Sequence, residues 1–93
     1  MSDQHPPACR PAADVEPGVL EAVRAIARET GGARAERAVH PRASLARDVG
    51  LGSLERVELL LRLERQFDCA LADRCLDLDT PAELAAAVLG AGP

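Results

Sequence analysis

The sequence predicts an all-α domain of four helices, with a short third helix and a long first loop. Three observations carry that prediction. The chain has 93 residues, enough for one hydrophobic core and too few for two. It is 47% apolar with Phe67 as its one aromatic residue, so the interior must be built from Leu, Val, Ile and Ala, which suit helices better than sheets. Finally, apolar residues recur at helical spacing in three segments separated by Gly- and Pro-containing stretches.

Residues 1–16 hold Pro6, Pro7 and Pro11 among small and polar residues and read as a flexible tail. Pro17 fits the first position of a helix, and Val19, Leu20, Val23, Ile26 and Ala27 follow in register until Gly31 and Gly32 stop it. Residues 31–52 form a connection without sustained period, in which Leu45, Val49 and Leu51 are apolar anchors; a loop that long is usually either functional or a sign of a wrong assignment. The strongest helix runs from Ser53 to about Phe67, and Ala72 to Leu76 predicts one short helical turn. The last helix has Thr80 as N-cap, Pro81 at its first position and Glu83 three residues after the cap, a capping box, with Leu84, Val88 and Leu89 as its buried stripe. Residues 17–90 are therefore the expected domain and 91–93 its C-terminal end.

Net charge is −4, and its placement is uneven. Residues 1–52 carry seven acids and seven arginines and residues 53–67 three of each, so the imbalance lies in the last 26 residues, where Asp68, Asp73, Asp77, Asp79 and Glu83 face Arg74 alone. That surface repels nucleic-acid phosphates and suits a basic protein partner. The scattered arginines and the lack of Trp and Tyr also argue against a nucleic-acid binder. No apolar run follows the first residues, and none approaches the roughly 18 residues of a membrane helix, so a cytoplasmic monomer without membrane contact is expected. Cys9, Cys69 and Cys75 are odd in number and lack C-x-x-C spacing, which predicts inert thiols and no metal site. A folded unit of this size buries roughly 60 to 65% of its unfolded surface and leaves little apolar area for a catalytic cavity. A hydrolase built on Ser53 needs a base, and neither His5 nor His40 lies in a motif with an acid. No enzyme activity is expected.

Residues 54–67 contain seven apolar residues, more than one helix face can hold. At about 100° per residue, Leu59, Leu60, Leu63 and Phe67 make one stripe, and Leu54, Val57 and Leu61 make a second. One stripe serves the core. The other is a second core contact or an exposed patch that marks a partner site. Ser53 stands at the N-terminal end of this helix, after Gly50 and Gly52, where free N–H groups and the helix dipole favour a phosphate diester on its oxygen. From its position alone a plain helix cap is the favoured reading.

The segment D-V-G-L-G-S-L-E-R-V-E-L-L-L-R-L-E-R-Q-F, Asp48 to Phe67, closely resembles the phosphopantetheine attachment region of acyl carrier proteins. Ser44 and Leu45 resemble that family's lead-in to its D-L-G turn, and L-D-T-P-A-E-L, Leu78 to Leu84, resembles the start of its last helix. The resemblance covers about half the chain in the right order. It implies an acyl-carrier-like four-helix bundle, acting as a free-standing acyl or peptidyl carrier protein with a covalent 4′-phosphopantetheine arm on Ser53. A phosphopantetheinyl transferase would install the arm from coenzyme A with Mg²⁺, and the arm's thiol would hold an acyl or aminoacyl group as a thioester. By the same resemblance Leu54, Val57 and Leu61 match the family's partner-binding positions, and Leu59, Leu63 and Phe67 its core.

Two departures stand out. The family's usual D-S-L reads G-S-L here, with Gly52 in place of the aspartate. The strongly acidic second helix of fatty-acid-synthesis carriers here mixes Arg56, Arg62 and Arg65 with Glu55, Glu58 and Glu64, and Glu58 and Arg62 have the spacing of an i, i+4 pair. The mixed charge points to a specialised polyketide, nonribosomal peptide or lipid pathway, with an acyl- or aminoacyl-adenylating ligase or other acyl-transferring synthase enzymes as further partners. The rival reading is an unmodified carrier-like interaction module, in which Ser53 only caps the helix and the Leu54, Val57 and Leu61 stripe binds a partner.

Overall fold

The computed structural model describes residues 12–71 and 75–90. Its regular elements are α1, Ala12–Arg37; a π-helical turn, Leu45–Val49; α2, Ser53–Phe67; and α3, Pro81–Gly90. The fold is the expected all-α bundle, with α1 packed against α2, α3 and the π turn. The short helix expected at Ala72 to Leu76 falls largely on residues 72–74, outside the described residues; Cys75 is helical and its N–H donates to Leu71 O at 3.0 Å, one helical turn back. Residues 91–93 also lie outside the described residues, as do residues 1–11 of the expected tail.

Helix α1 corrects two boundaries. It begins at Ala12, so Pro17 is inside the helix and does not open it. The reason is Val15, which is fully buried and extends the buried series Val19, Ala22, Val23, Ile26 and Ala27 by one turn. Burying a valine is worth about 1.5 to 3 kcal/mol, which offsets one hydrogen bond lost to the proline close to a helix end. Pro17→Ala restores that bond, and we expect it to raise stability by roughly 1 kcal/mol, read by chemical denaturation; an unchanged or lower midpoint would show that Pro17 is not strained there.

The second boundary is the stop at Gly31 and Gly32. The chain does break there, at Gly32, whose φ of 74° and ψ of −163° only glycine adopts freely. Helix then resumes to Arg37 and buries Ala35. The connection that read as featureless from 31 to 52 is thus helical at its start and carries the π turn near its end. Its anchors Leu45, Val49 and Leu51 are all buried.

Along α2 the two stripes separate: Leu59, Leu60, Leu63 and Phe67 are buried, while Leu54, Val57 and Leu61 are exposed. In α3 the expected capping box forms, with Glu83 N–H donating to Thr80 Oγ1 at 3.1 Å and the N–H groups of Asp79 and Thr80 donating to Glu83 Oε1. Its buried face is Pro81, Leu84, Ala85 and Val88. Leu89 was expected in that face and is exposed, because it lies about 40° further round the helix than Ala85, the last buried position on that side.

Candidate functional site

Ser53 is delivered to the surface by the turn that precedes it. The π turn closes with Gly50 in the left-handed region at φ 86°, and Leu45 O accepts from the Gly50 and Leu51 N–H groups. That reversal turns Leu51 into the core and leaves Gly52 and Ser53 exposed. Gly52, with extended backbone, is the N-cap of α2, and its N–H donates to Glu55 Oε1 at 3.0 Å. Ser53 is therefore the first helical residue and not the cap, and its hydroxyl makes no hydrogen bond within the described residues. Among the described residues no side chain caps the first-turn N–H groups of α2.

The approach to Ser53 is held by two contacts across the fold. Ser44, the one buried polar side chain among the described residues, donates its hydroxyl to Asp79 Oδ2 at 2.6 Å and accepts from Arg47 N–H. Asp79 also accepts from the N–H groups of Ala46, through Oδ1, and Leu45, through its carbonyl, while Ser44 N–H donates to Asp48 Oδ2 at 2.8 Å. The π turn is thereby fastened to the start of α3. The second contact is Arg56, whose Nη2 donates to Leu76 O at 2.7 Å and Leu78 O at 2.8 Å. It ties α2 to the segment that leads into α3.

These hydrogen bonds decide how the site responds to acid. The Ser44 hydroxyl, the Ala46 N–H and the nearby charges of Arg56 and Arg47 hold the Asp79 carboxyl below the usual carboxylate range, against a smaller opposing effect of burial. A carboxyl depressed on folding stabilises the fold while it is ionised, and that contribution disappears as the pH falls through its folded value, below about 4. We expect Asp79→Asn to melt at lower temperature than the wild type at pH 7, with the difference narrowing as both are acidified below about pH 4. A constant difference across that range would assign the staple to shape alone.

Beside Ser53 lie the exposed members of the second α2 stripe: Leu54 is 82%, Val57 36% and Leu61 39% exposed. Of the arginines that make α2 mixed in charge, two are engaged within the fold. Besides Arg56, Arg62 pairs with Glu58 at 3.1 Å, the expected i, i+4 contact, and reaches Glu29 of α1 through Nη2 at 2.7 Å and Nη1 at 3.1 Å. Those bonds hold the Glu29 carboxyl below its ordinary range.

The sequence reading missed the working partners of Ser44, Asp79 and Arg56. For Arg56 a signal existed: it precedes Leu60, Leu63 and Phe67 by four, seven and eleven residues, the spacing of the core face. The Ser44–Asp79 contact joins residues 35 apart, and no local period reports such a pairing. Cys69 is partly buried and Cys75 buried, and burial pushes the Cys69 thiol up, away from reactivity.

The arrangement fits a covalent phosphodiester: an exposed serine hydroxyl and first-turn N–H groups that no side chain among the described residues occupies, with an apolar surface alongside. No helix among the described residues is long and apolar enough to cross a membrane. No curated protein and no solved structure matches the chain. A family model described as phosphopantetheine attachment site matches residues 21–88, which take in the π turn, Ser53 and most of α3. With most of its length inside that match, the chain belongs to the phosphopantetheine-binding carrier protein family, whose members carry a 4′-phosphopantetheine group and are not themselves catalysts.

Proposed function

We propose that Ser53 is the attachment residue and that the chain carries acyl or aminoacyl groups between partner enzymes. The supporting observation is the placement of its hydroxyl, exposed at the start of α2 and without a hydrogen bond among the described residues. When bound, the phosphopantetheine group supplies a terminal thiol on which the cargo is held as a thioester. The protein's own residues do the rest: Gly50 turns the chain outward, Ser44 and Asp79 hold the loop, and the first turn of α2 offers its N–H groups to a phosphate. Coenzyme A with a phosphopantetheinyl transferase should add one phosphopantetheine mass to the intact protein. No gain with several transferases of broad specificity would overturn the reading.

Leu54, Val57 and Leu61 are the proposed partner face, because large apolar side chains left exposed next to a modification site have no internal use. With Arg56 and Arg62 engaged internally, partner selection on α2 rests on apolar fit more than on charge. That supports a specialised polyketide, nonribosomal peptide or lipid pathway, loaded by an adenylating ligase or an acyl-transferring synthase, in the cytoplasm. One observation favours the unmodified interaction module: Gly52 stands where the family usually has aspartate. Under that reading the same apolar face binds a partner and Ser53 stays bare.

A further inference from the structure

Acidic residues dominate the end of the chain, but residues 31–50 are the reverse. They carry four arginines, Arg34, Arg37, Arg42 and Arg47, against Glu36 and Asp48. Glu36 is already paired with Arg28 at 3.4 Å. Between the end of α1 and the π turn lies an open groove of about 280 Å³, with Arg34 on one side, Arg47 and Asp48 on the other, and Ala35, Ala38 and Val49 among its lining residues. Arg34 and Arg47 are both exposed, and neither guanidinium makes a salt bridge or side-chain hydrogen bond within the described residues. Arg47 does lend its charge to Asp79. Asp48 is partly engaged, accepting from Ser44 N–H.

We propose that this groove is a second docking contact, in which Arg34 and Arg47 receive a glutamate side chain of the transferase that works on Ser53. The inference rests on Ser53 being the attachment residue. Gly50 lines the groove and is three residues from Ser53, at most about 11 Å along the chain, so an enzyme whose active site reaches the Ser53 hydroxyl also covers the groove. The apolar lining suits the methylenes of a glutamate, and the two planar guanidiniums suit its carboxylate. A basic contact on the loop side and an apolar contact on α2 would together orient the partner about Ser53. Neither contact alone sets that orientation.

The test is steady-state phosphopantetheinylation of the full chain with coenzyme A and a transferase that primes the wild type. Arg34→Glu/Arg47→Glu should lower kcat/KM by about 10-fold, through KM, a change equivalent to about 1.4 kcal/mol of binding. Arg34→Lys/Arg47→Lys keeps the charge, loses the fork, and should fall in between. Arg37→Glu/Arg42→Glu makes the same change in net charge outside the groove lining and should stay near wild type. Should the glutamate pair fail to fold, Arg34→Ala/Arg47→Ala reads the same contact. An unchanged or increased rate in the groove variants, or an equal loss in the Arg37/Arg42 pair, would overturn the proposal. Persistence of the mass gain in Ser53→Ala would instead overturn the attachment site on which it rests, so the two failures are distinguishable.

Discussion

Ser53→Ala should lose all transferase-dependent gain in mass and keep its stability within about 0.5 kcal/mol of the wild type. Both halves follow from where the serine sits. Gly52 is the N-cap of α2 and Ser53 is its first helical residue, with no hydrogen bond from its hydroxyl among the described residues. Removing Oγ therefore breaks no cap, and alanine is the better helix former. A serine that capped the helix would cost about 1 kcal/mol on replacement by alanine; Ser53 is not the cap, so the variant stays folded and its mass is a clean readout. Intact mass of wild type and variant, measured side by side, separates the two readings. A gain in the wild type that Ser53→Ala loses supports attachment. No gain in either, with both folded, supports the module. Gly52 does not confuse the comparison, since its φ of −86° and ψ of −174° are extended backbone open to any residue.

The parts of this molecule legible in its sequence are those governed by neighbours in the chain. The two stripes of α2 follow from 3.6-residue periodicity, and the Thr80–Glu83 capping box from residues three apart. The start of α1 was misplaced because Pro17 is a strong local signal, whereas the burial of Val15 depends on which helices it meets. Gly32 was rightly read as a break, but the return to helix beyond it depends on burying Ala35, which is again tertiary. The same division holds at the site. The ordered motif around Ser53 pointed to phosphopantetheine attachment, while the Ser44–Asp79 staple and the Arg56 bridge to Leu76 and Leu78 appear only once the chain is folded. Arg56 and Arg62 read as surface charge in the sequence and are bracing in the structure.

That difference in the arginines sharpens what to expect at the proposed partner face. Leu61→Glu should lower the rate of priming by about 30-fold in kcat/KM, the loss expected when a central apolar contact worth about 2 kcal/mol is removed. The substitution should be harmless to the fold. Leu61 is 39% exposed and outside the buried set of α2, glutamate is a good helix former, and the new carboxylate lies four residues before Arg65, the favourable order for an ion pair. Val57→Glu is less clean, since it places a negative charge one turn after Ser53 and repels the incoming phosphate as well as the partner. Arg62→Ala should show the opposite pattern: it removes the bridge from α2 to Glu29 of α1 and the pair with Glu58, so it lowers the melting temperature and leaves priming near wild type. Measured side by side, the two variants divide partner binding from bracing. If Arg62→Ala slows priming more than Leu61→Glu does, the exposed stripe of Leu54, Val57 and Leu61 is not the face that partners read, and recognition on α2 runs through charge.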